Sequence, residues 1–121
     1  MKSSSLVLIP ATAYLLGTPA TIVGTRQKGV GYYGGQGTSQ SIRFISDDFP
    51  GIVTVQASLD TDPTQDSEWF DVYVFPGDSA IDGSTAITTD YSITVYGKFT
   101  WIRAIVSQFT DGEIGPITLS Y

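Results

Sequence analysis

The chain has 121 residues, 41% of them hydrophobic and only 15% charged, with two Trp, seven Tyr and six Phe. That is enough apolar surface for one folded domain, and it does not match the composition of a disordered chain. There is no Cys and no His, which excludes disulfide frameworks and thiolate metal sites and removes the commonest general base and zinc ligand.

The net charge of −6 is unevenly spread. Residues 1–46 carry Lys2, Arg26, Lys28 and Arg43 and no acid, giving +4, whereas residues 47–121 set Lys98 and Arg103 against twelve acids, giving 2 − 12 = −10. A polyanion such as DNA is a poor partner for the acidic part. The split suits head-to-tail contacts, with the basic segment of one copy on the acidic body of the next. It is equally what solvated acidic loops would give.

In chain order, Lys2 precedes the apolar run from Leu6 to Leu16, and small residues follow at Gly17 to Ala20. Pro10, Thr12 and Tyr14 dilute this run, and a single charge stands before it, so it makes a poor secretory leader. It is too short to span a bilayer. We expect an apolar arm that docks on another polypeptide, and that removing residues 1–21 leaves a folded domain. Residues 24–40 contain six glycines and read as a loop, with Tyr32 and Tyr33 as sticky or sugar-stacking residues, or as caps on the edge of the core. No phosphate-binding glycine pattern is present.

From residue 41 onward the pattern is β. Ser41–Ser46 places Ile42 and Phe44 on one face. Ile52–Leu59 alternates Val53, Val55, Ala57 and Leu59 inward with Thr54, Gln56 and Ser58 outward. Trp69–Phe75 sets Phe70, Val72 and Val74 against Trp69, Asp71, Tyr73 and Phe75. Tyr91–Val95 buries Tyr91, Ile93 and Val95, and Thr100–Phe109 alternates Ile102, Ala104 and Val106 with Trp101, Arg103 and Ile105. Ile114–Tyr121 reads as a last strand that Pro116 marks as an edge or an entry. Gly97 and Asp111-Gly112 punctuate the last three strands in the manner of hairpin turns. About seven or eight short strands at regular spacing predict an all-β, two-sheet antiparallel sandwich, jelly-roll or immunoglobulin-like. We divide it into residues 1–40, an arm and Gly-rich loop, and residues 41–121, the sandwich. The inter-sheet core is predicted as Val53, Val55, Leu59, Val72, Ile93, Ile102, Ala104 and Val106.

Gly51-Ile-Val-Thr-Val-Gln-Ala-Ser-Leu-Asp60, Glu68-Trp-Phe-Asp-Val72 and Phe99-Thr-Trp-Ile-Arg-Ala-Ile-Val-Ser-Gln-Phe-Thr-Asp-Gly-Glu-Ile114 resemble small β-sandwich virion proteins of tailed bacteriophages. Those of contractile-tailed phages of marine cyanobacteria look most alike. The Gly24–Gly34 stretch resembles the loop before the first strand in such proteins. The resemblance covers roughly residues 22–121. It implies a structural role in the virion and no catalytic signature.

Few residues offer chemistry. Asp60, Asp62, Asp66 and Glu68 have the hard oxygens that calcium takes, but Gln65 stands where a calcium loop needs its glycine, and Pro63 interrupts the run. A solvated turn explains them as well. Asp71 and Asp90 are the carboxylates to consider for glycoside hydrolysis, with nothing in the sequence to bring them together. Trp69 and Trp101 suit either a packed edge or a glycan platform, and Arg103 suits an acid or an aromatic face.

The reading is a non-enzymatic virion structural protein, a capsid decoration or a neck, tail or baseplate part, with no catalytic residue, cofactor or metal. Its partners are other virion proteins and copies of itself, with no DNA and no membrane. The expected contact residues are Leu6, Val7, Leu8, Ile9, Tyr14, Leu15, Leu16, Tyr32 and Tyr33. The alternative is a carbohydrate-binding module of a fibre or adhesin that meets a host-surface glycan through Trp69 and Trp101.

Overall fold

The computed structural model describes residues 5–15, 18, 21–32, 37–75, 87–109 and 111–121. Their strands are β1 (Ser5–Ile9), β2 (Thr12–Ala13), β3 (Ile22–Val23), β4 (Gln27–Lys28), β5 (Ser39–Phe49), β6 (Ile52–Ser58), β7 (Phe70–Phe75), β8 (Ile87–Tyr96), β9 (Trp101–Ser107), β10 (Glu113–Ile114) and β11 (Ile117–Ser120). A 3-10 turn, Asp66–Glu68, precedes β7.

The chain is an all-β sandwich of two antiparallel sheets. Three of its ribbons are broken: β1 and β2 at Pro10-Ala11, β3 and β4 at residues 24–26, and β10 and β11 at Gly115-Pro116. Each break stands where proline or glycine interrupts a ladder or the backbone crosses between sheets. With these pieces joined, the first sheet runs β1/β2, β10/β11, β5, β8, and the second runs β3/β4, β9, β6, β7. In chain order that is first-eighth-third-sixth against second-seventh-fourth-fifth, the double Greek key of a jelly roll.

This order revises the hairpins expected for the last third. The three strands are there, but β8 and β10/β11 belong to the first sheet and β9 to the second, so each turn crosses the sandwich. Among the described residues, only β6 and β7 pair across a direct sequence connection within one sheet.

The core lies between the sheets. Ile42 and Phe44 from β5, Val53, Val55 and Ala57 from β6, and Ile102, Ala104 and Val106 from β9 are all buried, as their alternation requires. Phe49, Phe109, Ile114, Ile117 and Leu119 complete it. One predicted core member lies outside it. Leu59 is 64% exposed, because β6 ends at Ser58 and the chain turns outward there. Val72 occupies a bulge, since Val55 pairs with Tyr73 and the next residue, Gln56, with Asp71. The extra residue inverts the face assignment along part of β7, so Tyr73 and Phe75 point inward with Val55 and Val53, while Val74 turns outward with Thr54. Phe75 is buried, and Val72 and Ile93 pack half-buried against the core.

The segment expected as an arm is part of the sandwich. β1 pairs with β11, β2 with β10, and β3 and β4 with β9. Leu8 and Ile9, expected to contact a neighbouring subunit, are each 1% exposed inside this chain's own core. The run was broken by Pro10 for a simple reason: it is an edge strand, where proline is tolerated. The division at residue 40 falls inside β5.

One polar side chain closes an end of the core. Gln40 is buried; its Nε2 donates to the carbonyls of Val95 at 2.9 Å and Gly97 at 3.2 Å, and its Oε1 accepts from the Val30 N–H at 3.2 Å. A buried amide with this many partners fixes the 29–32 loop against the end of β8.

Candidate functional site

The two long sides of the sandwich meet solvent differently, and the difference defines the candidate site. On one side β1 of the first sheet faces the β3/β4 ribbon of the second. The Thr25 N–H donates to the Leu8 carbonyl at 3.2 Å, and Gln27 Nε2 donates to the Val7 carbonyl at 3.0 Å. The ribbons come so close that a side chain at Gly24 would strike the Leu8 carbonyl oxygen and the Ile9 side chain. This seam is closed.

On the other side β7 faces β8, both of them last strands of their sheets. Among the described residues no backbone hydrogen bond joins them. Contact is made by rings instead. The hydroxyls of Tyr73 and Tyr91 are hydrogen-bonded, Phe75 packs on Tyr91 with ring centres 4.8 Å apart, and Phe44 packs on both Phe75 and Tyr91. The Tyr73 hydroxyl, helped by burial, pushes the Tyr91 phenol up to about 12. Beyond these rings the seam opens into a cleft of about 560 Å³ lined by Val72, Tyr73, Ile93, Thr94, Val95, Tyr96 and Phe99. Phe70, 40% exposed, stands against Phe99, and Tyr96 is 76% exposed. Apolar side chains thus stand beside two strand edges that are unpaired among the described residues.

A second, polar cleft of about 320 Å³ lies on the outer face of the second sheet, lined by Arg26, Asp62, Gln65, Asp66, Trp69 and Arg103, among others. Here cations lie on rings: Arg26 over Trp101 at 4.3 Å, Arg103 over Trp69 at 4.3 Å and Lys28 over Tyr32 at 4.6 Å. The acidic 60–68 loop is tied down on them. Arg26 donates to Asp62 at 2.9 Å and to the Pro63 carbonyl at 3.3 Å, Trp101 Nε1 donates to the Thr61 carbonyl at 2.8 Å, and Arg103 reaches Asp66 at 3.4 Å. Arg103 also donates to Gln56, which donates in turn to Asp71.

The expected site residues therefore separate. Leu6 and Tyr14 are half-buried against the core, Tyr14 edge-on to Phe109. Val7, Leu15 and Tyr32 are exposed, and Tyr32 meets Trp101 edge-on at 5.2 Å. Leu16 and Tyr33 lie outside the described residues. Trp69 and Trp101 share one neighbourhood, but each has a face covered by a guanidinium, and Trp69 is buried, which removes the bare platform a stacked sugar needs. Asp71 and Asp90 lie on the outer faces of opposite sheets and do not form a pair. Arg43 grips Asp90 through two hydrogen bonds and holds its carboxyl below the usual carboxylate range. Among the described residues no three acids gather to hold a metal. Part of the charge asymmetry is thus met inside the chain, by Arg26–Asp62 and Arg43–Asp90.

Sequence reasoning passed over Phe70 and Tyr96 as contact residues. Their alternation says which way a side chain points; that β7 and β8 end their sheets is a property of the topology.

No protein family matches the chain, and no curated protein matches it. Among solved structures it is similar to the K3 cleaved adhesin domain of Lys-gingipain from Porphyromonas gingivalis, at 14% identity and a TM-score of 0.47, over 83% of this chain and 60% of that one. It is also similar to the K2 cleaved adhesin domain of Lys-gingipain, at 14% identity and a TM-score of 0.46, over 84% of this chain and 62% of that one. The chain thus spans about three fifths of the length of these domains.

Proposed function

We propose that the chain is a non-enzymatic structural subunit of a tailed-phage virion and that it holds neighbouring subunits through the β7–β8 seam. The observation that carries the docking half is the apolar cleft between two strand edges that are unpaired among the described residues, with Phe70 and Tyr96 exposed at its rim. The virion half rests on the resemblance of residues 22–121 to phage sandwich proteins. The contact surface moves from the N-terminal segment, which the sandwich uses for itself, to the opposite side of the molecule.

The test is complementation. Particles made without the chain are supplied with the wild type or with a Phe70→Glu, Tyr96→Lys double variant. Electron microscopy and mass spectrometry of purified particles are expected to find the wild type incorporated and the folded variant left free. Absence of the wild-type chain from purified particles would remove the virion reading, and equal incorporation of the variant would remove the seam.

A second reading, glycan binding through polar contacts without ring stacking, is favoured by one observation: Arg26, Asp62, Asp66 and Arg103 share the polar cleft. Glycan-array binding that is lost in Arg26→Ala would support it.

A further inference from the structure

We infer that the partner at this seam is a second copy of the chain, joined strand to strand through β8 about a two-fold axis at Thr94. This rests on the docking role proposed for the seam and names its occupant.

β8 is the longer of the two free edges. It pairs regularly with β5 from Ser39↔Tyr96 to Ser46↔Thr89, and its other edge is unpaired among the described residues. Free edges are commonly protected by lysine, proline or a bulge within the strand. β7 has a bulge at Val72. Over the regular stretch Thr89–Tyr96, β8 has no such device, and its one charge, Asp90, points to the outer face and is held by Arg43.

Charge selects the register. An antiparallel β8–β8 pair about a two-fold axis opposes residue i to residue 2c − i, where c is the residue on the axis. With c at Asp90, two carboxylates would face each other. With c at Thr94 the ladder runs from Ser92 to Tyr96, the two Asp90 carboxylates stand eight residues apart along the pair, and Lys98, just past the end of β8, brings a cation towards Asp90 of the other copy; among the described residues Lys98 has no ion pair of its own. The same register sets Val95 against Ile93 of the second copy on the inner face, Tyr96 against Ser92 on the outer face, and Thr94 against itself on the axis. Apolar and Thr–Thr cross-strand pairs of this kind favour pairing, as does a pair of opposite charges. A two-fold contact is self-complementary and closes at the dimer. It also brings the two apolar clefts together, so that the exposed Tyr96 rings and the Val72, Phe99 walls are covered from both sides.

Cysteine placement reads this geometry directly, because the chain has no Cys of its own. On the axis, the two Thr94 Cα atoms would lie about 4.5–5.5 Å apart, within reach of a disulfide. The two Ser92 Cα atoms would be displaced by four residues, about 13 Å, and out of reach. Thr94→Cys is expected to form a covalent dimer under mild oxidation, and Ser92→Cys to remain monomeric. In sedimentation equilibrium the wild type is expected to dimerise, Thr94→Lys to lose at least about tenfold in association, and Val7→Lys, the same charge on the closed seam, to lose none. Circular dichroism melts check that the variants are folded.

A wild type that remains monomeric at its highest soluble concentration, or equal cross-linking at positions 92 and 94, overturns the inference. If the chain is monomeric yet the Phe70→Glu, Tyr96→Lys variant fails to enter particles, self-pairing is wrong and the seam holds a different subunit. If the dimer forms and that variant enters particles normally, self-pairing stands and the docking role in the particle falls.

Discussion

The two seams of this sandwich are built from different materials. The closed seam joins β1 to the β3/β4 ribbon through backbone and amide hydrogen bonds, with Gly24 against the Leu8 carbonyl and with Leu8 and Ile9 in the core behind them. The open seam joins β7 to β8 through aromatic rings and one pair of tyrosine hydroxyls, and leaves an apolar cleft beside them. Backbone closure fixes a distance and tolerates no added atom. Ring contacts leave the backbone groups of both edges without a partner strand among the described residues. In the same core, one side is finished by the chain's own hydrogen bonds, and on the other the strand edges are unpaired among the described residues.

The comparison breaks first at the closed seam. Leu8→Asp sets an unpaired charge where Leu8 is 1% exposed, and should cost more than about 4 kcal/mol and abolish a cooperative melt. Removing residues 1–13 should do the same, because it strips β1 from β11 and β2 from β10. A folded, cooperatively melting product would return this segment to the role of a detachable arm. Next in size is Gly24→Val, whose methyls have nowhere to go without parting the ribbons. It should cost about 1–3 kcal/mol, read as a lower denaturation midpoint at unchanged slope.

The open seam should respond more weakly and in its own way. Tyr73→Phe removes one hydroxyl bond and should cost about 1 kcal/mol. In the wild type the Tyr91 phenol is raised from an ordinary value of 10.0 to about 12, so folding favours its neutral form. That contribution is complete below pH 10 and is lost as pH rises through 12. Ultraviolet titration should show Tyr91 ionising late in the wild type and nearer 10 in Tyr73→Phe, with a correspondingly smaller alkaline loss of stability in the variant. The smallest effect on the fold is expected at Tyr96, 76% exposed: Tyr96→Ser should leave stability within about 0.5 kcal/mol. A larger thermal shift there would mean that the open seam, too, is part of the stabilising structure of the monomer.

Much of the architecture was legible in the chain because a β-strand has period two. Ile42 and Phe44, Val53 and Val55, and Ile102, Ala104 and Val106 announce their inward faces locally, and the structure buries all of them. The sandwich class follows from seven or eight such runs separated by glycine, proline and aspartate. Leu59 was misplaced, and Tyr73, Val74 and Phe75 were given the wrong faces, because alternation cannot say where a strand ends or where one residue is added to it.

The candidate site was less legible. Arg103 and Trp101 were visible as neighbouring outward positions of one strand, but the stacking of Arg103 on Trp69 and the bond from Arg26 to Asp62, 36 residues away, appear only once the strands are placed. Leu6 to Ile9 read as a docking segment because an apolar run near a terminus looks the same whether it lies on a neighbour or on its own chain.

By itself, then, the sequence determined that this protein is built of strands, which residues turn inward along most of them, and that histidine and cysteine chemistry is absent. The tertiary structure decided that the N-terminal run is a core strand, that consecutive strands cross between sheets, and that β7 and β8 are left as the open edge. The physical reason is range. Side-chain alternation and turn chemistry act over a few residues, whereas sheet order is settled by which distant strands bury each other's apolar faces.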